Sequence, residues 1–178
     1  IGIRHISNLR NLGVDVSAFS YRSTESVEPI RNDLHGVRLV KNLQKALRDE
    51  YDAIIVANRT HQHMEVALQA ARNKKNLFIE KPLSISMDGC KELQELTNAY
   101  NLVVETGFML RFHPNLVWIK KYLLDDKLGE LMHIQASVGQ WLPDWRPESD
   151  YRIGYGAFRN TGGGVIFDLV HELDPVSW

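Results

Sequence analysis

The chain has 178 residues, 44% hydrophobic and 24% charged, with a formal net charge of -1. This is the composition of one globular domain or one and a half, and it excludes a disordered chain. A near-neutral balance supplies no basic field for nucleic acid, no apolar run reaches membrane-spanning length, and the lone cysteine, Cys90, allows no intrachain disulfide. A cytoplasmic protein with no nucleic-acid or membrane partner is therefore expected.

Gly2 to Leu12 sets Ile3, Ile6 and Leu9 at helical spacing, and Gly13 is placed as the helix stop. Val14 to Tyr21 then reads as a strand, the second half of a strand–helix–strand unit whose first strand lies upstream. Arg22 to Asn32 is polar and contains proline. Val37 to Val40 reads as a short strand, and Asn42 as the cap of a helix through Leu43, Ala46 and Leu47. Asp52 to Ala57 is an apolar strand with its loop at Asn58 to Thr60. From His61 a helix puts Met64, Ala67, Leu68 and Ala71 on one face.

The chain is organised around Leu77 to Ser84, LFIEKPLS. Leu77, Phe78 and Ile79 have the length of a buried parallel strand. Glu80 and Lys81 follow at its carboxyl end, where open α/β sheets put their ligand crevice. Pro82 has no N–H and biases Lys81 to extended backbone, so the strand stops and the lysine is aimed into a loop at the mouth of the sheet. On Lys-Pro alone, an exposed lysine before a turn is the commoner reading.

Ser86 is expected to cap the next helix, with Cys90 (a small hydrophobe), Leu93, Leu96 and Tyr100 inward. Leu102 to Val104 is a short strand. The strand–helix alternation predicts a parallel sheet covered on both faces. Phe112 to Leu124 is a helix with Phe112, Leu116, Ile119 and Leu123 on one face. Over Glu130 to Val138 the period becomes two, which predicts a half-covered strand of an antiparallel sheet and a domain boundary near residue 126.

Trp141 to Asn160 has no clear period. Its rings and charges, among them Trp145, Arg146, Asp150, Tyr151 and Arg152, suit a polyhydroxylated ligand; packing on its own domain or on a second subunit is an equally good reading. Gly162, Gly163 and Gly164 precede an amphipathic stretch that sets Asp168, His171 and Glu172 at i, i+3 and i+4 on one helix face. A carboxylate one turn from an imidazole can orient it and raise its basicity. A solvated acidic face is the commoner use of such spacing.

Four features fall in order: G-x-x-H at Gly2 and His5, A-N-x-T-x-x-H from Ala57 to His63, Glu80-Lys81-Pro82, and a glycine run followed by Asp168 and His171. In that order the chain resembles the glucose–fructose oxidoreductase / inositol dehydrogenase (Gfo/Idh/MocA) family along essentially its whole length. The resemblance implies an α/β fold. A Rossmann-type parallel-sheet domain lacking its first strand would span 1–125. The beginning of an α/β domain with a mostly antiparallel sheet, for substrate and oligomerisation, would span 126–178. It also implies a tightly held NAD(P) and reversible hydride transfer at a carbinol carbon of a sugar, cyclitol or sugar derivative, with no metal. By position, Gly2 is the last glycine of G-x-G-x-x-G, with His5 beside it. Asn58, Thr60 and His63 line the adenine and ribose side, while Glu80 and Lys81 face the nicotinamide. His171 is the base, Asp168 orients it, Lys81 holds the reacting oxygen, and Glu80 tethers the lysine or the carboxamide. Arg111, Trp145, Arg146, Tyr151 and Glu172 are candidate substrate contacts.

The sequence departs from the family pattern in three ways. The first two glycines and their strand are missing; with Ile1 and Trp178 as its ends, the chain is expected to be a fragment that binds cofactor poorly by itself. The usual D-x-x-x-H is D-x-x-H here, which puts Glu172 at the usual base position. The strand from Val14 ends in Tyr21, Arg22 and Ser23, where an acid would bind the 2′-hydroxyl of NAD; Arg22 and Ser23 suit a 2′-phosphate, so NADP is favoured. Two alternatives stand beside the oxidoreductase: a non-catalytic nucleotide-binding regulatory protein, and a glycosidase that uses NAD transiently. The intact protein is expected to be a homo-oligomer.

Overall fold

The fold is that of a computed structural model, which describes residues 1–20, 36–40, 42–48, 50–145 and 147–178. Tyr21, Arg22, Ser23 and Arg146 lie outside the described residues.

Helix α1 (Gly2–Asn11) ends where expected. Gly13 has φ 76°, and the N–H of Gly13 and that of Val14 donate back to Arg10 O and Leu9 O at 2.9 and 3.0 Å. Strand β1 (Ser17–Phe19) pairs in parallel with β2 (Arg38–Val40). Helix α2 (Leu43–Arg48) is capped by Asn42, whose Oδ1 accepts from Lys45 N at 3.1 Å. Then follow β3 (Ala53–Val56), a 3-10 turn over Thr60–Gln62, α3 (His63–Arg72), β4 (Asn76–Ile79), α4 (Cys90–Tyr100) and β5 (Val104–Thr106). Strands β3, β4 and β5 form a parallel sheet in which Ile54 lies opposite Leu77, and Leu77 opposite Val104. The sheet is thus in two parallel sets. A doubly wound order places one further strand between β1 and β3, and none of the described residues supplies it.

The core lies on one face of the three-stranded set. Val56, Leu77 and Ile79 are buried there against Ala67, Ala70 and Ala71 of α3, with Leu47 and Leu93 closing the edges. The three alanines bring the helix backbone close to the strands. The other face of β4 is covered only in part, where Phe78 meets His5 of α1 edge-on at 5.4 Å; the expectation of two covered faces holds for one.

Helix α4 starts later than predicted. Ser86 Oγ accepts from Asp88 N at 3.2 Å and donates to the Asp88 carboxylate, building a turn of its own instead of capping the helix. Gly89 (φ 78°) then lets α4 press on α3, since a Cβ there would stand 2.8 Å from Met64 Cγ. Cys90 and Leu96 are partly buried against the core, but Tyr100 faces outward beneath the Lys74 ammonium.

Helix α5 (Pro114–Leu124) begins on a proline, at the position that needs no N–H. Phe112 falls in the 3-10 turn before it and is 85% exposed, so the predicted inward face is not buried. Residues 124–142 are exposed throughout, and the expected strand over 130–138 is not formed. A strand is held by the groups it pairs with, and no described residue offers this stretch a ladder.

The continuous helix expected after the glycine run is also broken, into α7 (Val165–Asp168), a 3-10 turn over Val170–Glu172, and α8 (Asp174–Ser177); before it comes α6 (Leu142–Trp145). Pro175 explains the later break: its ring would clash with the carbonyl four residues back, at His171, so an α-helix cannot run from the 3-10 turn into α8; the chain has already left the helix at Leu169. Asp168, His171 and Glu172 therefore share no regular helix face. No helix among the described residues is long and apolar enough to cross a membrane.

Candidate functional site

Strands β3, β4 and β5 all end at one edge, at Val56, Ile79 and Thr106. Residues 161–174 lie across the three loops that leave them. At the β3 loop, Thr161 O is 3.4 Å from His61 Nδ1. Gly162 (φ 89°) nestles so closely that a Cβ would stand 2.7 Å from Thr60 Cβ and 2.8 Å from Ile85 Cγ2, and at Gly163 a Cβ would meet Gly156 O at 2.3 Å. The first two glycines of the run thus permit an approach that any side chain would block. At the β4 loop, which contains a cis Lys81–Pro82 bond, Lys81 Nζ donates to Asp168 O at 2.7 Å. At the β5 loop, the rings of Phe108 and His171 meet edge-on at 6.4 Å, and Arg111 donates two parallel hydrogen bonds to Asp174.

Lys81 is therefore close enough to His171 for its ammonium to act on the imidazole. The His171 pKa is lowered, first by burial and then by the Lys81 ammonium; the carboxylates of Glu80, Asp174 and Glu172 pull the other way and do not prevail. The neutral imidazole is the form present at pH 7, with a lone pair to accept a proton. Its Nδ1 is buried and meets no hydrogen-bond partner among the described residues. Asp168 does not orient this ring as expected: its carboxylate lies beside Gly156, 3.3 Å from the Cβ position there, and it is the main-chain carbonyl that holds Lys81. Glu80 is itself held, with Oε1 2.6 Å from His5 Nε2 and Oε2 accepting from Lys81 N at 3.3 Å.

Several expected contacts are used inside the protein. His63 is 1% exposed and both ring nitrogens meet main-chain carbonyls, so its ring is closed to a ligand. Thr60 is buried under Gly162. Arg111 is engaged by Asp174, whose side chain is 4% exposed, and the hydrogen bonds it donates to Asp174 raise the guanidinium pKa further; a substrate role for Arg111 is replaced by a clamp. Asp174 was not singled out in the sequence, although an acid set among Leu173, Pro175 and Val176 was its signal.

Trp145, Asp150, Tyr151, Arg152, Tyr155 and Asp168 help to line a cavity of about 360 Å³. Two of its charges are engaged with each other: Arg152 hydrogen bonds hold the Asp150 carboxyl down at about 2. Trp145, Tyr151 and Asp168 supply rings and a carboxylate, and Glu172 is half-buried next to His171.

A dinucleotide fits the remaining groups. Among the described residues, Asn58 Oδ1 is a buried acceptor without a partner, and the N-terminus of α1 opens at Gly2, where a Cβ would meet no atom within 4 Å. Such a helix end suits a phosphate, and Asn58 with Glu80 would hold the rest.

The family model for the Gfo/Idh/MocA oxidoreductases, described as having an NAD-binding Rossmann fold, matches residues 1–108. The chain is 26% identical to the myo-inositol 2-dehydrogenase of Thermotoga maritima over 184 residues, 98% of this chain and 50% of that protein. It is 26% identical to the 2,7-anhydro-N-acetylneuraminate hydratase of Mediterraneibacter gnavus over 131 residues, 74% of this chain and 34% of that protein. In structure it resembles the myo-inositol 2-dehydrogenase of Lactobacillus plantarum, with a TM-score of 0.69 and 22% identity over 92% of this chain and 47% of that one. The chain thus spans a third to a half of the curated relatives named here. With a matching family model, the expected parallel sheet, and the Glu80-Lys81-Pro82 turn at its carboxyl edge, the chain belongs to the Gfo/Idh/MocA oxidoreductase family, with its NAD-binding Rossmann fold.

Proposed function

We propose that the intact protein moves hydride between NAD(P) and a carbinol carbon of a sugar, cyclitol or sugar derivative. The observation that carries this is the nearness of an ammonium to a half-buried imidazole: Lys81 Nζ rests on the carbonyl of Asp168, three residues before His171, and burial, followed by the Lys81 charge, lowers the His171 pKa. A bound nicotinamide supplies the two-electron acceptor for the hydride. Lys81 donates to the carbinol oxygen and stabilises negative charge developing on it. His171 takes the O–H proton, and in the reverse direction returns it. Trp145 and Tyr151 cover C–H faces of the ring, while Asp168 accepts from its hydroxyls. Residues 1–125 are read as the cofactor half, and 126–178 as the opening of the substrate half. Arg22 and Ser23 favour NADP; intact protein that binds NAD far more tightly would reverse that preference.

The test uses the full-length protein with a panel of polyols and sugars, following cofactor absorbance. Net reduction that is lost in Lys81→Ala while cofactor binding persists is the expected result. Near wild-type turnover in that variant removes Lys81 from the mechanism. The relative that is named a hydratase favours a second reading, since adding water changes no net oxidation state. Turnover of an anhydro sugar or glycoside without net cofactor reduction would select it.

A further inference from the structure

We infer that His63 is a positioning residue that ties the start of α3 to the loop carrying Lys81 and thereby places the Lys81 ammonium. This rests on the reading of Lys81 proposed above. The ring stands at the first residue of α3 and is more deeply buried than Thr60 or Asp174. Its Nδ1 is 2.8 Å from Pro82 O and its Nε2 is 3.2 Å from Asn58 O. A neutral imidazole donates from one nitrogen only, and the shorter contact assigns that N–H to Pro82 O.

The location explains why such a tie is needed. The ladder between β3 and β4 stops with Glu80 N donating to Val56 O at 2.9 Å, and the last bond from the β5 side runs from Gly107 N to Ile79 O at 2.8 Å. These are the last ladder bonds on either side of the turn. Glu80 Oε2 grips the main chain on the amino side of Lys81, and His63 grips the carbonyl of the next residue. Between those two holds, the lysine stem reaches Asp168 O. A residue kept only to fill space would have no use for a buried N–H, which is costly to leave unpaired.

Side-chain reach separates positioning from filling. An asparagine amide extends as far as Nδ1, so His63→Asn can still donate to Pro82 O. A glutamine amide extends as far as Nε2, so His63→Gln reaches Asn58 O and releases Pro82. In full-length, cofactor-free protein, acetylation of Lys81 by acetic anhydride, read by mass spectrometry, should be at least about fivefold faster in His63→Gln than in wild type, and close to wild type in His63→Asn. With an oxidisable polyol, kcat should fall about tenfold in His63→Gln with little change in KM, and His63→Asn should restore it. Equal labelling in all three proteins, or equal loss of kcat in both variants, overturns the inference. If the wild type oxidises no polyol, the hydride-transfer reading fails while the labelling still decides this one. If neither variant folds, the imidazole ¹⁵N spectrum of the wild type decides: a slowly exchanging His63 ring N–H supports the tie, and one exchanging as fast as that of exposed His113 overturns it.

Discussion

Residues 53–106 and 124–142 are both rich in apolar side chains, yet they meet opposite fates. In the first, Ile79, Ala67, Ala70 and Ala71 are 0% exposed; in the second, Met132 is 82% and Trp141 72% exposed. The pattern of a segment states that a face wants cover, and whether that cover is supplied depends on other segments. Strands β3, β4 and β5 follow one another with helices between them, so each provides the next with a neighbour. The period-two run over 130–138 finds none among the described residues.

The sharpest way to break this comparison is to cut into the first region. Ile79→Ala removes a fully buried side chain from a layer braced by Val56, Leu77 and Ala67. Urea unfolding should show a loss of about 2–5 kcal/mol. A loss below about 0.5 kcal/mol, the size expected at exposed sites, would mean that the sheet core is not the stabilising unit.

The second effect is chemical. Lys81→Ala in full-length protein should lower kcat by about 100-fold or more, the usual loss for one donor aimed at a developing oxyanion. Its Kd for cofactor should change by less than about threefold, since uniform binding is not what Lys81 supplies. A large rise in Kd with kcat preserved would make the ammonium a binding group.

The third joins the two regions. Arg111→Met leaves the Asp174 carboxylate buried without its partner, at a cost of about 2 kcal/mol; the half-exposed guanidinium keeps this below the loss at a wholly buried pair. Asp174→Asn added to that variant should recover part of the loss. An additive double variant would show that the pair is no clamp between the β5 loop and the crossing segment.

Much of the sheet was legible because hydrophobic period and turn chemistry are local. Gly13 stops α1 and Asn42 caps α2 as read from the residues alone. The site was legible only where backbone geometry carried the signal, as with Lys81 before a proline at a strand end. Three other assignments failed for physical reasons. Histidine at a helix start can face ligand or protein, and His63 faces protein because two carbonyls converge on it. Asp168 and His171 have helical spacing, but the helix ends at Leu169, between them. Arg111 looked available, but its partner Asp174 lies 63 positions further on.

A smaller effect should appear on acidification. The His171 pKa is lower folded than its ordinary 6.5. Between those two values the unfolded chain binds the extra proton and the folded one does not, so stability falls as pH drops through that window and is unaffected by this group above it. The same sign holds for turnover: the acid limb of kcat/KM for alcohol oxidation should lie below 6.5, where the base becomes protonated. His171→Gln should flatten the stability slope and abolish the limb. An acid limb above 6.5 would identify a different base, with Glu172 or Lys81 the nearest titratable groups to test.

The smallest effect is the one that best separates the two regions. Met132→Ala in the 178-residue chain should change stability by no more than about 0.5 kcal/mol, because a side chain 82% exposed leaves almost no cavity when shortened. The same substitution in a chain of the length of the relatives tests whether the alternating stretch finds its neighbour there. If it does, Met132 or Leu131, whichever faces inward, becomes a core residue, and its truncation should then cost about 2 kcal/mol or more. Because side chains alternate across a strand, only one of the two adjacent positions should gain this sensitivity. If both gained it, the stretch would be packed as something other than a half-covered strand, and the period-two reading would fall with it.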